Sequence, residues 1–250
     1  MRRFDGRTVL VTGASSGIGQ ATARRVAGEG ARVVLVSLDG GPLEATRAAL
    51  PTPEQHIARV CDMTDEAAVG ALVDELRKEV GVLHGVAHAA GIHWLRPLQV
   101  TDSTSLRQML DSHVVSAVAL TRAVVSKKVI ADGGSIVWFS SAAALEGGAG
   151  TTAYAAAKGA LIAAVRPVAL ELARRKVRVN VVVPGVVDTP QGQGFLAKLA
   201  ADQRQAVVDA HLLGIGRPEQ VAGVVAFLLS DDASWMTGTA VVVDGGLTVH

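Results

Sequence analysis

The stretch Thr8-Val9-Leu10-Val11-Thr12-Gly13-Ala14-Ser15-Ser16-Gly17-Ile18-Gly19 runs from an apolar, β-branched strand through a glycine-rich turn into a helical pattern over residues 20–29. Glycines let the backbone approach a pyrophosphate, and the free amides of the helix start supply donors and positive potential. A glycine-rich turn alone is weak evidence, because many tight turns look similar. Position gives this one its weight: it follows the first strand and precedes a second that ends in Ser37-Leu38-Asp39.

Beyond that stretch, apolar runs alternate with amphipathic ones. Residues 32–36, 57–61, 85–89, 134–139, 177–183 and 241–244 read as further strands, and 43–50, 66–80, 106–125 and 152–175 as helices. This β-α rhythm predicts an α/β fold: a doubly wound Rossmann-type parallel sheet of about seven strands flanked by helices, with its ligand at the carboxyl ends of the strands. Residues 1–250 show no linker and no internal repeat, so one dinucleotide-binding domain is expected.

Composition excludes several classes. A net charge of +1 makes no electrostatic case for nucleic acid or a membrane surface. Apolar segments such as 221–229 fall short of the roughly twenty residues that a spanning helix needs. Phe4-Asp5-Gly6-Arg7 interrupts any export signal begun by Arg2-Arg3. Cys61 is the only cysteine, which excludes an intrachain disulfide and fits a reducing cytoplasm. His84 and His88 share a face of the fourth strand without a carboxylate or cysteine at ligand spacing, so no metal site is expected.

Tyr154, the only tyrosine, stands four residues before Lys158 in Tyr-Ala-Ala-Ala-Lys, with Ser141 upstream at the end of a β-like run. Positions i and i+4 share a helix face, so the ammonium is expected near the phenol. A neighbouring cation lowers a phenol from its usual value of about 10. The phenol then exchanges protons with a substrate hydroxyl or carbonyl, while Ser141 holds the same oxygen.

Taken together, the TGxxxGxG spacing, the later Ser, Tyr and Lys, and Pro184-Gly185 beside a sixth strand resemble the short-chain dehydrogenase/reductase family over essentially the whole chain. Further matches are Asp62 after the third strand, His88-Ala89-Ala90-Gly91 where the family usually has Asn-Asn-Ala-Gly, Asn180, and the terminal Val243-Asp244-Gly245-Gly246. The resemblance implies an NAD(P)-dependent oxidoreductase acting on a secondary alcohol or ketone, with Tyr154 as acid or base, Lys158 lowering its pKa and binding the nicotinamide ribose, and Ser141 orienting the substrate. It implies cofactor contacts from Gly13, Ser15, Ser16, Gly17, Ile18 and Gly19, from Ser37 and Leu38, and from Asp62 and Met63 at the adenine. Further contacts would come from Ala89, Ala90 and Gly91, from Pro184, Gly185 and Val187, and from Thr189 at the carboxamide.

By the same resemblance, residues 189–213 form a substrate lid, in which Pro190, Gly192 and Gly194 precede a helix over 195–213. Trp94, Ala143, Phe195 and Leu199 would wall a mostly apolar pocket for a small-molecule substrate, as in a 3-oxoacyl reductase or an alcohol dehydrogenase. The family also implies a homotetramer or homodimer.

The chain departs from the family pattern at the cofactor and at the proton relay. Ser37 and Leu38 replace the aspartate, or the following arginine, that selects between NAD and NADP. With Asp39 adding negative charge and only Arg24 able to reach in from the first helix, the reading leans to NAD. His113 occupies the place of the family's fourth catalytic residue, normally asparagine. A neutral imidazole there would donate from one nitrogen and accept at the other. Two alternatives remain open: a sugar-nucleotide epimerase or dehydratase of the extended relatives, disfavoured by the turn spacing and the lack of a C-terminal substrate domain, and a nucleotide-sensing protein without turnover.

Overall fold

Successive side chains of a strand point to opposite faces, so a strand that is apolar at every position needs a cover on both. In the computed structural model, which describes residues 2–249, that requirement is met by helices on either side of a seven-stranded sheet. The first half runs β1 (Thr8–Thr12), α1 (Gly17–Gly28), β2 (Arg32–Ser37), α2 (Gly40–Ala48), β3 (Ile57–Val60), α3 (Glu66–Val80), β4 (Leu83–His88), α4 (Ser103–Leu110) and α5 (Ser116–Ser126). The second half runs β5 (Ile130–Phe139), α6 (Thr152–Leu172), β6 (Arg178–Pro184), α7 (Pro190–Leu196), α8 (Ala201–Ala210), α9 (Pro218–Leu229) and β7 (Ala240–Val243).

Every strand pair is parallel, in the order β3-β2-β1-β4-β5-β6-β7. Alternate residues of one strand feed opposite cores. Leu10, Val34, Val86, Trp138 and Val181 pack with α3, α5 and α6, while Val9, Val11, Val33, Val137 and Val182 pack with α1 and α9. Strand order reverses between β1 and β4, where Thr12 pairs with both Val36 and His88. The loops leaving β1 and β4 diverge there and open a crevice at the carboxyl edge of the sheet.

Several elements differ from the sequence expectation. β5 begins at Ile130 rather than 134, because its pairing with β4 shifts register between Leu83 and Gly85, around Gly133 at φ 78°. The helix expected over 106–125 is broken by a π-helical turn, Asp111–Val115, between α4 and α5. The helix expected over 195–213 is two helices. Thr189 caps α7, with Pro190 at its first position, and extended backbone at Ala200 separates it from α8.

The stretches Ser103–Ser126 and Thr152–Arg175 are each 24 residues long and apolar enough by composition to cross a membrane, which corrects the expectation drawn from 221–229. In the fold α5 and α6 cover one face of the sheet, which accounts for their apolar character.

Candidate active site

The crevice at the carboxyl edge is lined by Gly13, Ser15, Ser16, Gly17, Ile18 and Gly19, by Ser37 and Leu38, by Asp62 and Met63, and by Ala89, Ala90 and Gly91. Pro184, Thr189, Tyr154, Lys158 and His113 close its far end. The turn after β1 sits directly against the segment after β4: a Cβ on Gly13 would stand 2.8 Å from the Ala89 carbonyl carbon, and one on Gly19 would overlap the Gly13 carbonyl. Only glycine fits at either point. Ser16 caps α1 without a side-chain hydrogen bond, so the amides of the first turn face the crevice with no internal acceptor.

At the end of the crevice beside β2, Ser15 and Ser37 hydroxyls are 2.8 Å apart, and Leu38 is 68% exposed. The Asp62 carboxylate accepts from the Thr64 amide at 2.9 Å and its hydroxyl at 2.7 Å, which holds the acid below the usual carboxylate range. The cap of α3 is Asp65. Arg24, the cation that sequence placed within reach, lies instead in a separate cleft with Arg3, Arg25 and Glu29. Among the described residues, Lys158 is the only lysine or arginine lining the crevice.

Tyr154 and Lys158 share a face of α6 and are both buried. The direct phenol–ammonium pairing expected from sequence is not what forms. Lys158 Nζ lies over the Tyr154 ring, 5.5 Å from its centroid, and donates to the Phe139 carbonyl at 2.8 Å, with His113 Nδ1 at 2.9 Å. The carbonyl and imidazole are better acceptors than a protonated phenol, and they draw the ammonium past it. Burial pushes the Tyr154 pKa up, opposed by hydrogen bonds with Ser141 and Gln191, while burial lowers Lys158 to about 7.

His113 sits within the π-helical turn, a local geometry that recurs at functional sites. Its Nε2–H donates to the Ile92 carbonyl at 2.8 Å, which leaves Nδ1 to accept from Lys158. Burial and then the Lys158 charge lower its pKa to about 3, so the ring is neutral near pH 7. His88 spans Thr12 Oγ1 at 2.9 Å and Ser116 Oγ at 3.0 Å, a satisfied core position rather than a ligand. Among the described residues no group of histidine, cysteine, aspartate and glutamate is placed to hold a metal.

A second cavity of about 450 Å³ adjoins the crevice at Tyr154, Gln191 and Thr189. Ala143 and Phe195 line it, as do Gly185 and Val187, which sequence had assigned to the cofactor. Trp94 and Leu199 do not. Trp94 packs beside Met109 and Tyr154 with Arg96 over its ring, because the chain turns inward one residue to either side, presenting His93 and Leu95 to the cavity. Leu199 falls at the break between α7 and α8, and the wall there is made by Ala206, Val207 and Ala210 of α8 with His211.

The family profile described as Enoyl-(Acyl carrier protein) reductase matches residues 13–248. Cis-4-hydroxycyclohexanecarboxylate dehydrogenase of Sinomonas cyclohexanicum is 36% identical over 247 residues, 98% of each chain. The chain belongs to the short-chain dehydrogenase/reductase family. A 3-oxoacyl-(acyl-carrier-protein) reductase of Thermotoga maritima is 32% identical over 249 residues, covering 99% of this chain and 100% of that one. The crystal structure of levodione reductase superposes with a TM-score of 0.90 at 30% identity, covering 99% of both chains.

The site also holds side chains that sequence reading passed over. Gln191 lines both spaces with Tyr154, His93 meets the tyrosine ring edge-on at 4.9 Å, and Glu146 and His211 line the cavity. No spacing announces them, since each comes from a loop or lid whose course depends on the tertiary fold. Ser140, the neighbour of Ser141, donates to the Lys158 carbonyl at 2.8 Å and so braces α6 against β5.

Proposed function

We propose that this oxidoreductase transfers a hydride between a nicotinamide cofactor and a secondary alcohol or ketone, with Tyr154 as the proton donor in reduction and acceptor in oxidation. One observation carries the reading: the buried Tyr154 phenol, with Ser141 and Gln191 beside it, stands where the glycine-lined crevice meets the second cavity. The crevice suits a dinucleotide, since it offers the α1 amides to a pyrophosphate and excludes a Cβ at Gly13 and Gly19. Residues 13–19, Ser37, Leu38, Asp62, Met63, 89–91, Lys158, Pro184 and Thr189 would hold it, with Gly185 and Val187 behind. When bound, the nicotinamide supplies or takes the hydride.

This chain's residues supply the proton and the positioning. Burial keeps the phenol protonated at neutral pH, which suits carbonyl reduction. Ser141 orients the substrate oxygen, and Lys158 connects the site through His113 to the Ile92 carbonyl. The profile description names enoyl reduction, but the relatives named as a hydroxycyclohexanecarboxylate dehydrogenase and a 3-oxoacyl reductase favour chemistry at a C–O bond. Residues 189–213, carried on α7 and α8, act as the lid.

Among the described residues no arginine lines the crevice and its one lysine is Lys158, which favours NAD(H), because a 2′-phosphate beside Ser37 and Leu38 would meet no cation in the lining. The cavity walls favour an apolar substrate, of the kind taken by 3-oxoacyl reductases or alcohol dehydrogenases. Leu170 at 77% exposure, Val118 and the fully exposed Trp235 offer apolar surface to further copies, supporting a homotetramer or homodimer in the cytoplasm.

The test is a panel of secondary alcohols and ketones followed by nicotinamide absorbance, with NAD(H) and NADP(H) titrated separately. Turnover with tighter NAD(H) binding is expected. Binding without turnover across the panel would favour a nucleotide-sensing protein, and tighter NADP(H) binding would reverse the cofactor assignment.

A further inference from the structure

Hydrogen bonding accounts for most polar side chains of the substrate cavity. Ser140 is engaged by the Lys158 carbonyl, Thr151 by Gly148, and Thr189 by Val187 and Gly192. His211 accepts from the Val186 amide at 3.0 Å and meets the Val207 carbonyl at 2.7 Å, so both its nitrogens are used. Ser141 Oγ accepts from the Ala143 amide at 3.3 Å, and Gln191 lies beside the Tyr154 phenol. His93 stands apart: its ring makes edge-on contacts with Tyr154 at 4.9 Å and Phe195 at 6.4 Å, and among the described residues neither nitrogen has a hydrogen-bond partner.

The ring is nonetheless held in place from behind. The Ile92 amide donates to Ser112 Oγ at 3.0 Å, and its carbonyl accepts from His113 Nε2 at 2.8 Å. Two successive residues of the π-helical turn therefore clamp the peptide that carries His93. Burial, then Lys198 and Lys158, hold its pKa below the usual histidine range, so a neutral ring offers one donor and one acceptor. Such a ring serves a hydroxyl or a carbonyl equally.

Charge narrows the substrate from the other side. Glu146 lines the cavity, and among the described residues no lysine or arginine does, Lys158 and Lys198 acting on His93 only from beyond the wall. An anionic substrate group would exchange its hydration for a wall whose own charged side chain is a carboxylate.

We propose that His93 is a specificity-determining residue that binds a second oxygen of the substrate, and that the substrate is a compact, uncharged ketone or secondary alcohol with a hydroxyl or carbonyl near the reacting carbon. The short separation of His93 from Tyr154 requires that second oxygen to lie close to the first. This assignment rests on the oxidoreductase reading, and it goes beyond it by naming what the cavity selects.

The test compares kcat/KM for hydroxycyclohexanone, with its hydroxyl next to the carbonyl, against cyclohexanone, and for levulinate against its methyl ester. Wild type favours hydroxycyclohexanone and the ester. His93→Leu lowers the hydroxycyclohexanone-to-cyclohexanone ratio by about tenfold, and His93→Gln, which keeps a donor and an acceptor, restores part of it. A ratio that His93→Leu leaves within about twofold of wild type, or a preference for levulinate over its ester, overturns the assignment while leaving the oxidoreductase reading intact. A wild-type enzyme that binds cofactor and turns over none of the four compounds overturns both.

Discussion

In the crevice the turn 13–19 meets the segment 89–91 main chain against main chain at Gly13, whereas the second cavity draws side chains from separate loops and helices: His93 and Leu95, Ala142 and Ala143, Phe195 and Val207. A main-chain wall leaves little room for substitution, because each added atom meets backbone that cannot rotate away. A side-chain wall can change residue by residue while the fold persists. On the proposed reading the first half would be constrained by a dinucleotide and the second free to vary with the substrate.

The strongest challenge to that contrast is Gly19→Ala, since the new methyl would overlap the Gly13 carbonyl. It is expected to cost about 3 kcal/mol in cofactor affinity, in stability, or divided between them. Cofactor titration together with urea denaturation measures both. A variant that binds and unfolds like wild type would show that the turn is loosely built and the contrast misplaced.

His113 stands at the seam between the halves, and its variants sharpen the boundary. His113→Ala removes the acceptor of Lys158 and the donor to Ile92, and is expected to lose about 1 to 3 kcal/mol of transition-state stabilisation. His113→Asn, which restores the family's usual residue, is expected to retain substantial activity. Indistinguishable pH–rate profiles for the two variants would remove His113 from the mechanism.

Acid is expected to act on the cofactor half through its buried histidines. His88 and His113 have folded pKa values lowered by burial, and by Lys158, to about 3, from 6.5. Between those limits the unfolded chain binds protons that the folded chain does not, so stability is fully present above pH 6.5 and is lost as pH falls towards 3. Each histidine contributes a slope of at most about 1.4 kcal/mol per pH unit, read from urea midpoints across that window. His113→Asn should flatten the dependence; an unchanged slope would mean that the ring is solvated in the folded state.

The same contrast explains what could be read from sequence. The β-α rhythm and the glycines at 13, 17 and 19 mark the sheet and the cofactor crevice because backbone geometry restricts residue type directly. Tyr154, Lys158 and Ser141 were legible because helical spacing and a strand end bring them to one edge, and the structure does gather them there. Their hydrogen bonding was not legible, because Lys158 turns to the Phe139 carbonyl and to a histidine on another helix. Trp94 was chosen for its size, but the course of the loop decides which neighbour faces the cavity, and it presents His93. The break in the lid depends on a single extended residue, Ala200, whose identity favours helix.

The most direct measurement pairs cofactor binding with turnover in wild type and Tyr154→Phe. The substitution removes one hydroxyl and keeps the buried ring, so the packing beside Met109 and Ala157 remains. Cofactor affinity should stay within about twofold, while the rate of ketone reduction falls by about two to four orders of magnitude. A variant that binds cofactor normally and keeps most of the wild-type rate would contradict the assignment of Tyr154 as the proton-transfer group.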